Sequence, residues 1–411
     1  MSVWDALVGQ APAVATLQAA VRGAQQLLAV GVGSTKGECP NFFEGDGLAA
    51  MSHAWLITGP PGSGRSLAAY AFAAALQCQQ GGCGQCEACL QSLEGTHPDV
   101  RPLHTDKVVI TIEEARQMIG VAYQAPSQGR WRVIIVEDAD RMAERTANVL
   151  LKAIEEPPPQ TVWILCAPSE ADMISTIRSR CRTLNLRVPP VRDVAELLVR
   201  RDGVDPQIAM SVARAAQAHI GRARALALDP DARARRDRKV ATLAGVRSVA
   251  DAVYGAQQVL KIAEDDATVT SEAANEDAAA RVRKMLGLKP EEAFPKHFAA
   301  HRKQLEEEAK RRSTRALRDQ LDLCLVDLLA FYRDVYARQI GADVDLINDT
   351  LVGEIAEQAE LTSREQSVSR MQAVQTARRR IGANVPPLLV LEALCMELRP
   401  GAKPHPWKEL A

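Results

Sequence analysis

The feature that most constrains this 411-residue chain is a glycine-rich turn that joins a short apolar segment to an alanine-rich one. Ala54–Thr58 has the composition of a buried strand, and residues 67–76 have high helix propensity. A strand, a glycine loop and a helix in this order form a cradle for a phosphate group. The loop residues that would build it are Gly59, Gly62, Ser63, Gly64, Arg65 and Ser66.

The spacing from Gly59 to Ser66 matches the phosphate-loop pattern G-x-x-x-x-G-K-[ST], except that Arg65 replaces the lysine. Arginine is a planar fork and lysine is a compact point charge, so this exchange is not conservative. The alternative is a plain turn between a buried strand and a helix. The flanking segments favour the phosphate loop, because they supply the context that the pattern requires.

The length and net charge of the chain limit the number of domains and the kinds of partner that it can attract. The length suggests two or three domains, and the net charge of −1 gives no global attraction to nucleic acid or to a membrane surface. No signal segment is visible after Met1, and the longest uncharged apolar run, near residues 67–76, is too short to span a bilayer. We therefore expect a cytoplasmic protein without a membrane partner.

Four of the nine cysteines lie within twelve residues. Thiolates this close can surround one tetrahedral Zn²⁺, and the intervening glycines permit tight turns. The alternatives are a redox pair and a site in which His97 replaces Cys78. Four protein ligands leave no open position, so the prediction is a structural zinc site at Cys78, Cys83, Cys86 and Cys89.

A second apolar run, Arg132–Val136, is followed at once by Glu137 and Asp138. Acidic residues at the carboxyl end of a buried parallel strand lie where ligands bind in open α/β sheets. One acid could hold Mg²⁺ and the next could orient an attacking water. The alternative is a strand that ends in a solvated acidic turn, and the upstream phosphate loop favours the functional interpretation.

The remaining segments mainly predict secondary structure. Residues 108–110 and 161–166 have the pattern of strands, and residues 29–50 that of a loop insertion. Arg178, Arg180 and Arg182 lie on a helix-to-strand turn, where they could form a solvated surface or reach a phosphate in a neighbouring subunit. Beyond Pro190 only helical patterns follow. Residues 229–239 are expected to be a charged linker, and the acidic residues 262–280 a loop.

With these elements in this order, the sequence resembles the AAA+ clamp-loader family. The most specific motifs are Asn148-Val-Leu-Leu-Lys-Ala-Ile-Glu-Glu-Pro157 and Ser179-Arg-Cys181. Further segments support the same resemblance: Leu7-Val-Gly-Gln10, the phosphate loop, the four clustered cysteines, residues 137–140 and residues 221–224. The resemblance covers residues 3 to about 230, and beyond 240 it is mostly helical character.

The resemblance implies an α/β AAA+ P-loop domain with a parallel sheet and an inserted zinc module (1–188, with zinc at 78–89), a helical lid (189–239) and an all-α collar (240–411). It implies ATP or ADP with Mg²⁺ as nucleotide and Arg224 as the lid arginine. It also implies partner subunits of gamma/tau and delta type, a sliding clamp and primer–template DNA. Arg180 would be an arginine finger donated in trans to a neighbour's ATP site.

The sequence departs from the family pattern at positions that active members use to hydrolyse ATP. Active members carry lysine at Arg65, and Asp then Glu where Glu137 and Asp138 stand. The γ-phosphate sensor falls near Ala167 or Pro168, neither of which can hydrogen bond in that role. This pattern favours a subunit with weak or absent ATPase of its own that stimulates another subunit. The alternatives are an active gamma-type ATPase motor and a zinc-bearing nucleic-acid-binding module that uses the basic region 281–318.

Overall fold

The computed structural model describes residues 2–29, 50–103, 109–285, 288 and 299–400. The chain divides into two compact units, Met1–Arg224 and Ala225–Ala411. Most of the predicted loop insertion, residues 30–49, lies outside the described residues. The domain limits expected at 188 and 239 stay predictions.

The first unit is built on a five-stranded parallel sheet with strand order β2-β3-β4-β1-β5. Three central strands are buried at every position, as their continuous apolar sequences predicted. The expected parallel α/β fold is confirmed. The strands are β1 (Ala54–Thr58), β2 (Val100–Leu103), β3 (Arg132–Val136), β4 (Thr161–Ala167) and β5 (Arg182–Asn185).

Helices cover both faces of this sheet. Alternate strand residues such as Trp55 and Ile57 pack with α1 (Ala11–Ala29) and α2 (Arg65–Gln77) in one buried cluster. The intervening residues, such as Leu56 and Ile134, pack with α4 (Ile112–Ala122), α5 (Glu144–Glu155) and α6 (Ser175–Arg178) in another. The short α3 (Glu87–Leu93) follows the cysteine-rich turn. The result is a three-layer α/β/α arrangement.

One edge strand was not predicted. Val100–Leu103 forms β2, although Pro102 weakens its strand pattern, and proline is tolerated because this strand is at the sheet edge. The strand expected at 108–110 is wrong where it is described, since Ile110 makes only an isolated bridge to Met142. Val108 lies outside the described residues.

The first unit continues with helices. These are α7 (Val191–Asp202), α8 (Pro206–Ala215) and the start of α9 (Ile220–Leu228). Asp205 caps α8 by accepting hydrogen bonds from the N–H groups of Gln207 and Ile208, and Pro206 occupies the first turn. The absence of strand signals after Pro190 therefore predicted this region correctly.

The second unit is all helical over its described residues, as expected. Its helices are α10 (Pro230–Ala244), α11 (Val249–Met285), α12 (Ala299–Ile340), α13 (Val352–Leu361), α14 (Arg364–Gly382) and α15 (Pro387–Leu398). The core includes Leu325, Phe331, Tyr332, Val374 and Leu391, all fully buried.

Two expectations in this unit were wrong. The predicted linker 229–239 lies mostly in α10, because Asp229 caps the helix and buried Arg236 and Lys239 pair with Asp327 and Asp266. The predicted loop 262–280 lies within α11, where Ala263 and Ala267, one turn apart, are buried. Among the described residues, no helix has the length and apolar character needed to cross a bilayer.

Candidate functional site

Two residues of the glycine loop have a left-handed backbone conformation. Gly62 and Gly64 have φ of +87° and +89°, values that side chains other than glycine rarely adopt. Gly64 precedes α2, whose N-terminus has no side-chain cap. Its first N–H groups therefore have no partner within the helix and can serve an anion.

Gln10 is hydrogen-bonded to the glycine loop, a contact that the sequence did not reveal. Its buried side-chain amide donates to the carbonyl oxygens of Ser63, at 3.2 Å, and Arg187, at 2.5 Å. Its Oε1 accepts from the N–H of Arg187 at 3.2 Å. One buried side chain thus ties the phosphate loop to the segment after β5 and fixes its position.

The structure brings the loop and the acidic strand end together. Ser66 Oγ donates to Glu137 Oε2 at 2.8 Å. Two neighbouring oxygens around Mg²⁺ lie about 3 Å apart when each Mg–O distance is about 2.1 Å. The spacing of the Ser66 and Glu137 oxygens is therefore compatible with both of them binding one Mg²⁺.

Asp138 is less suited to act on a nucleotide here. It has φ of +50° and pairs with Arg141 at 3.3 Å. The neighbouring Asp140 is partly buried, which raises the pKa of its carboxyl, and its shielded Oδ1 has no hydrogen-bond partner among the described residues. Glu137 and Asp138 both follow β3 directly, as the sequence predicted, and Glu137 is hydrogen-bonded to Ser66.

Two buried polar atoms in the loop support an anion as its ligand. Ser63 Oγ and Arg65 Nη1 have no hydrogen-bond partner. Burial raises the pKa of Cys166 near the end of β4, and the nearby charge of Arg65 partly opposes this, so the guanidinium lies on the side of the sheet where the strands end. A phosphate group would satisfy donors of this kind, which otherwise cost free energy when buried. The residues present therefore fit a bound nucleotide.

His219 is a further neighbour of the loop. A Cβ added to Gly62 would lie 2.8 Å from Cβ and Cγ of His219, so the histidine packs directly against this glycine. Burial and the charge of Arg222 lower the pKa of His219. The segment that begins α9 thus contacts the phosphate loop, whereas Arg224 of that helix pairs with Asp202 at 3.0 Å.

The three arginines near β5 have different surroundings. Nε of Arg180 donates to Oε1 of Glu155, and its Nη1 donates to the carbonyl oxygen of Thr176 at 2.7 Å. Nη1 of Arg178 donates a long hydrogen bond of 3.4 Å to the carbonyl oxygen of Glu170. Arg182 lies over the ring of Trp55, 5.1 Å from its centroid.

The turn that carries Arg180 is anchored in the core. Ile177 is fully buried, and the N–H of Arg180 donates to its carbonyl oxygen at 3.0 Å. Cys181 packs against the same core, and burial raises its pKa to about 12, so its thiol stays protonated. The turn is thus fixed on both sides of an exposed arginine.

The four cysteines form one cluster. Their sulfur atoms all lie within 4.8 Å of one another, and the sulfurs of Cys78 and Cys86 are 3.7 Å apart. Four sulfurs at about 2.3 Å from a tetrahedral Zn²⁺ would be about 3.8 Å apart. Backbone N–H groups of Cys83 and Cys86 point at the sulfurs of Cys78 and Cys83. The cluster could hold one metal ion.

The pKa values of the four thiols are shifted in different directions by their surroundings. Hydrogen bonds from the N–H groups of Gln85 and Cys86 lower the pKa of Cys83 to about 6, whereas burial raises that of Cys89. A divalent cation would stabilise all four thiolates together. His97 is not in the cluster; its Nδ1 instead accepts from the N–H of Asp99 at 3.1 Å.

Residues 48–190 match a protein family described as DNA polymerase III, delta subunit. The DNA polymerase III subunit delta' of Pseudomonas aeruginosa is 35% identical over 160 residues, which cover 38% of this chain and 49% of that relative. The gamma/tau subunit of Mycobacterium tuberculosis H37Rv is 32% identical over 155 residues, 36% of this chain and 27% of the relative. The chain thus spans about half or less of these relatives' lengths.

A distant likeness extends to solved structures. One from Thermotoga maritima, described as a DNA polymerase III gamma subunit-related protein, aligns with 85% of this chain and 95% of its own at 18% identity. The TM-score is 0.38. The family and sequence matches support a delta' or clamp-loader family member.

Proposed function

Because residues 48–190 match this clamp-loader family, we propose that the chain is a delta prime-type subunit of a bacterial DNA polymerase III clamp loader. In this role it helps to open a sliding clamp and to place it on primer–template DNA. Its partners are gamma/tau- and delta-type subunits, and it acts in the cytoplasm. The complex would belong to the polymerase holoenzyme, while this subunit contributes little hydrolysis of its own.

The observation that carries the proposal is the exposed Arg180 on a turn anchored in the core. An arginine finger must project from one subunit and reach a phosphate held by another. In the transition state, charge spreads over the γ-phosphate oxygens, and a donated guanidinium stabilises it there. Arg180 pairs with Glu155 of α5, whereas Arg178 contacts the carbonyl oxygen of Glu170 and Arg182 lies over the ring of Trp55.

The chain's own nucleotide site would bind ATP or ADP but would hydrolyse ATP slowly or not at all. Gly59, Gly62, Ser63, Gly64, Arg65 and Ser66 would hold the phosphates, and Ser66 with Glu137 would hold Mg²⁺. Asp138 pairs with Arg141, and Ala167 and Pro168 offer no side-chain hydrogen bond at the end of β4. Arg224, paired with Asp202, would need to leave that partner to reach a nucleotide.

The cysteine cluster would be structural. Cys78, Cys83, Cys86 and Cys89 would supply four thiolates to Zn²⁺, which leaves no position for a substrate. The cluster follows α2 directly and Cys89 is fully buried in the core shared with that helix. A zinc ion there would fix the end of the helix that carries the phosphate loop.

The second unit would form the collar that joins the subunits. Its helix α15 buries Leu391 and Leu394 but leaves Leu389 58% exposed and Met396 36% exposed. Leu389 and Met396 are two helical turns apart and therefore lie on the same side of α15, and exposed apolar side chains grouped on one side can mark an interaction site. Collar helices of partner subunits are the proposed occupants of this surface.

Steady-state ATP hydrolysis by the reconstituted loader, with clamp and primed DNA present, tests the proposal. We expect Arg180→Ala to leave the complex assembled and to lower kcat by about 10³-fold, the lower end of finger effects. Arg178→Ala is the matched control and should change kcat little. Equal losses would indicate a diffuse basic patch, and an unchanged rate for Arg180→Ala would refute the finger. Robust turnover by the isolated chain would favour an active gamma-type motor.

A further inference from the structure

Glu155, the last residue of α5, contacts Arg180 from a position 25 residues earlier in the chain. Its Oε1 accepts from Nε, while the carbonyl oxygen of Thr176 and the hydroxyl of Ser179 accept from Nη1 at 2.7 and 3.3 Å. Among the described residues, no hydrogen bond involves Nη2 of Arg180. The Arg180 guanidinium is therefore hydrogen-bonded through Nε and Nη1, while Nη2 remains available to a ligand.

We propose that Glu155 is a positioning residue, which orients Arg180 so that its open edge faces a phosphate of the adjacent subunit. This inference rests on the proposed role of Arg180 as a finger. A free arginine side chain samples many rotamers, and only some of them would point at a phosphate. Holding Nε and Nη1 in place removes most of these rotamers before the neighbour binds.

The two partners are fixed to one another by the core beneath them. Glu155 follows Ile154, which is fully buried, and Arg180 follows the turn that contains Ile177, also fully buried. Both isoleucines belong to the same apolar cluster. The ion pair therefore joins two backbone segments that are already held together, so it defines a direction for the guanidinium and need not define the fold.

Because the Arg180–Glu155 ion pair is partly exposed, its effect on the orientation of Arg180 can be measured apart from its effect on folding stability. The side chains of Arg180 and Glu155 are 37% and 40% exposed. Ion pairs this exposed contribute little to folding stability, because solvent screens them. A variant without Glu155 should therefore fold normally, so that any loss of activity reports on the orientation of Arg180.

The opposite arrangement would be a sequestered arginine that Glu155 withholds from the neighbour. The contacts favour positioning, since the carboxylate engages Nε and leaves Nη2 without a hydrogen bond. A carboxylate that withheld the arginine would be expected to use both terminal nitrogens in a fork, which is the stronger geometry. The two arrangements predict opposite effects of removing the carboxylate.

The experiment compares reconstituted loaders that carry single and double variants. We expect Glu155→Ala to lower the clamp- and DNA-stimulated kcat by about 10-fold, because misdirected catalytic groups lose rate without losing binding. Glu155→Gln keeps an acceptor oxygen and should retain more activity. Glu156→Ala, the adjacent exposed carboxylate, is the matched control and should be unchanged.

The double variant identifies the mechanism. If Glu155 acts only through Arg180, then Arg180→Ala with Glu155→Ala should be no slower than Arg180→Ala alone. Additive losses, an unchanged rate or a faster rate for Glu155→Ala would each overturn the inference. If Arg180→Ala itself had no effect, the proposed finger would be wrong, which distinguishes the two failures.

A second readout needs no partner subunit. In the isolated chain, the Nε–H nuclear magnetic resonance signal of Arg180 should be shifted by its carboxylate acceptor. Glu155→Ala should move it to the position of a solvated arginine, while Glu156→Ala should not. A signal that is the same in wild type and Glu155→Ala would show that the contact is absent in solution and would overturn the inference.

Discussion

The hydroxyl of Ser66 donates a 2.8 Å hydrogen bond to Oε2 of Glu137, joining the start of α2 to the end of β3. Glutamate is one methylene longer than the aspartate expected at this position of an active family member. The longer side chain reaches the hydroxyl directly. The two groups proposed to hold Mg²⁺ are therefore already adjacent, even though Glu137 departs from the family pattern.

The first prediction concerns nucleotide binding by the isolated chain. Because the loop is assembled, we expect weak binding of ADP and ATP, with hydrolysis near background. Arg65→Lys should strengthen ATP binding about 10-fold, since a compact ammonium reaches the β- and γ-phosphates of such loops. Titration with a fluorescent nucleotide measures this, and Arg116→Ala, an exposed arginine of α4, is the control. Rapid turnover abolished by Arg65→Ala would contradict the prediction.

The second prediction concerns zinc. Protein purified without added metal should contain about one equivalent of zinc per chain, because binding to four thiolates is coupled to folding. Cys83→Ala should lose the metal, and His97→Ala should keep it. Cys181→Ala removes a cysteine outside the cluster and should have no effect on metal content. A fully folded preparation that is free of metal would disprove the assignment.

The third prediction concerns the contact between Gly62 and His219. Alanine at position 62 would have a positive φ of 87° and a Cβ 2.8 Å from the histidine Cβ. We expect Gly62→Ala to destabilise the first unit by about 1–3 kcal/mol and to weaken nucleotide binding. Gly203→Ala separates the two causes, because Gly203 has φ of +67° but no atom within 4 Å of an added Cβ.

Equal losses of stability in these two variants would mean that backbone strain alone matters. A larger loss for Gly62→Ala, relieved in part by His219→Gly, would identify the packing of the histidine as the cause. Thermal unfolding followed by tryptophan fluorescence reports on this unit, since four of the five tryptophans lie in it.

The sequence predicted the elements that depend on local patterns. Continuous apolar runs gave three central strands, and glycine spacing gave the phosphate loop. It did not predict α10, because the partners that make buried Arg236 and Lys239 acceptable lie on distant helices. A charged stretch looks like a linker until its long-range ion pairs are known.

The same limit applies to the candidate site. The sequence identified Arg180 but offered no carboxylate close by, because Glu155 is brought to it by the packing of α5 against α6. His219 and Gly62 are likewise distant in sequence. The LVGQ motif contains Gln10, yet only the structure assigns its amide to the loop carbonyl of Ser63. Motifs locate chemical groups, and tertiary packing decides their partners.

The fourth prediction concerns the exposed apolar side chains of α15. Leu389→Glu places a charge where 58% of the leucine is exposed, so the isolated chain should remain folded. If a partner subunit covers this leucine, assembly should weaken by at least about 10-fold, from the lost burial of one side chain. Val269→Glu on α11, where 70% of the side chain is exposed, is the control. Normal assembly of Leu389→Glu by size-exclusion chromatography would exclude this surface as the interface.

The last prediction concerns Asp99, which is fully buried and pairs with Arg132 at 3.0 Å. Burial alone would raise its pKa, but hydrogen bonds from the N–H groups of Gly129, Ser127 and Gln128 outweigh it and lower the pKa to about 2. The ionised form is thus favoured in the folded state. Its contribution to stability is complete above the ordinary value of 3.8 and is lost as the pH falls towards 2.

A lowering of nearly two pKa units corresponds to about 2 kcal/mol of unfolding free energy. We expect Asp99→Asn to be less stable than wild type by at least that amount at pH 6, because it also leaves Arg132 buried without its charge partner. The difference should narrow as the pH falls from about 4 towards 2, where wild-type Asp99 becomes protonated and loses the same charge. Urea unfolding monitored by tryptophan fluorescence at several pH values measures it, with the exposed Asp172→Asn as control. A difference that stayed constant across this pH range would show that the carboxylate charge is not what stabilises the loop before β3.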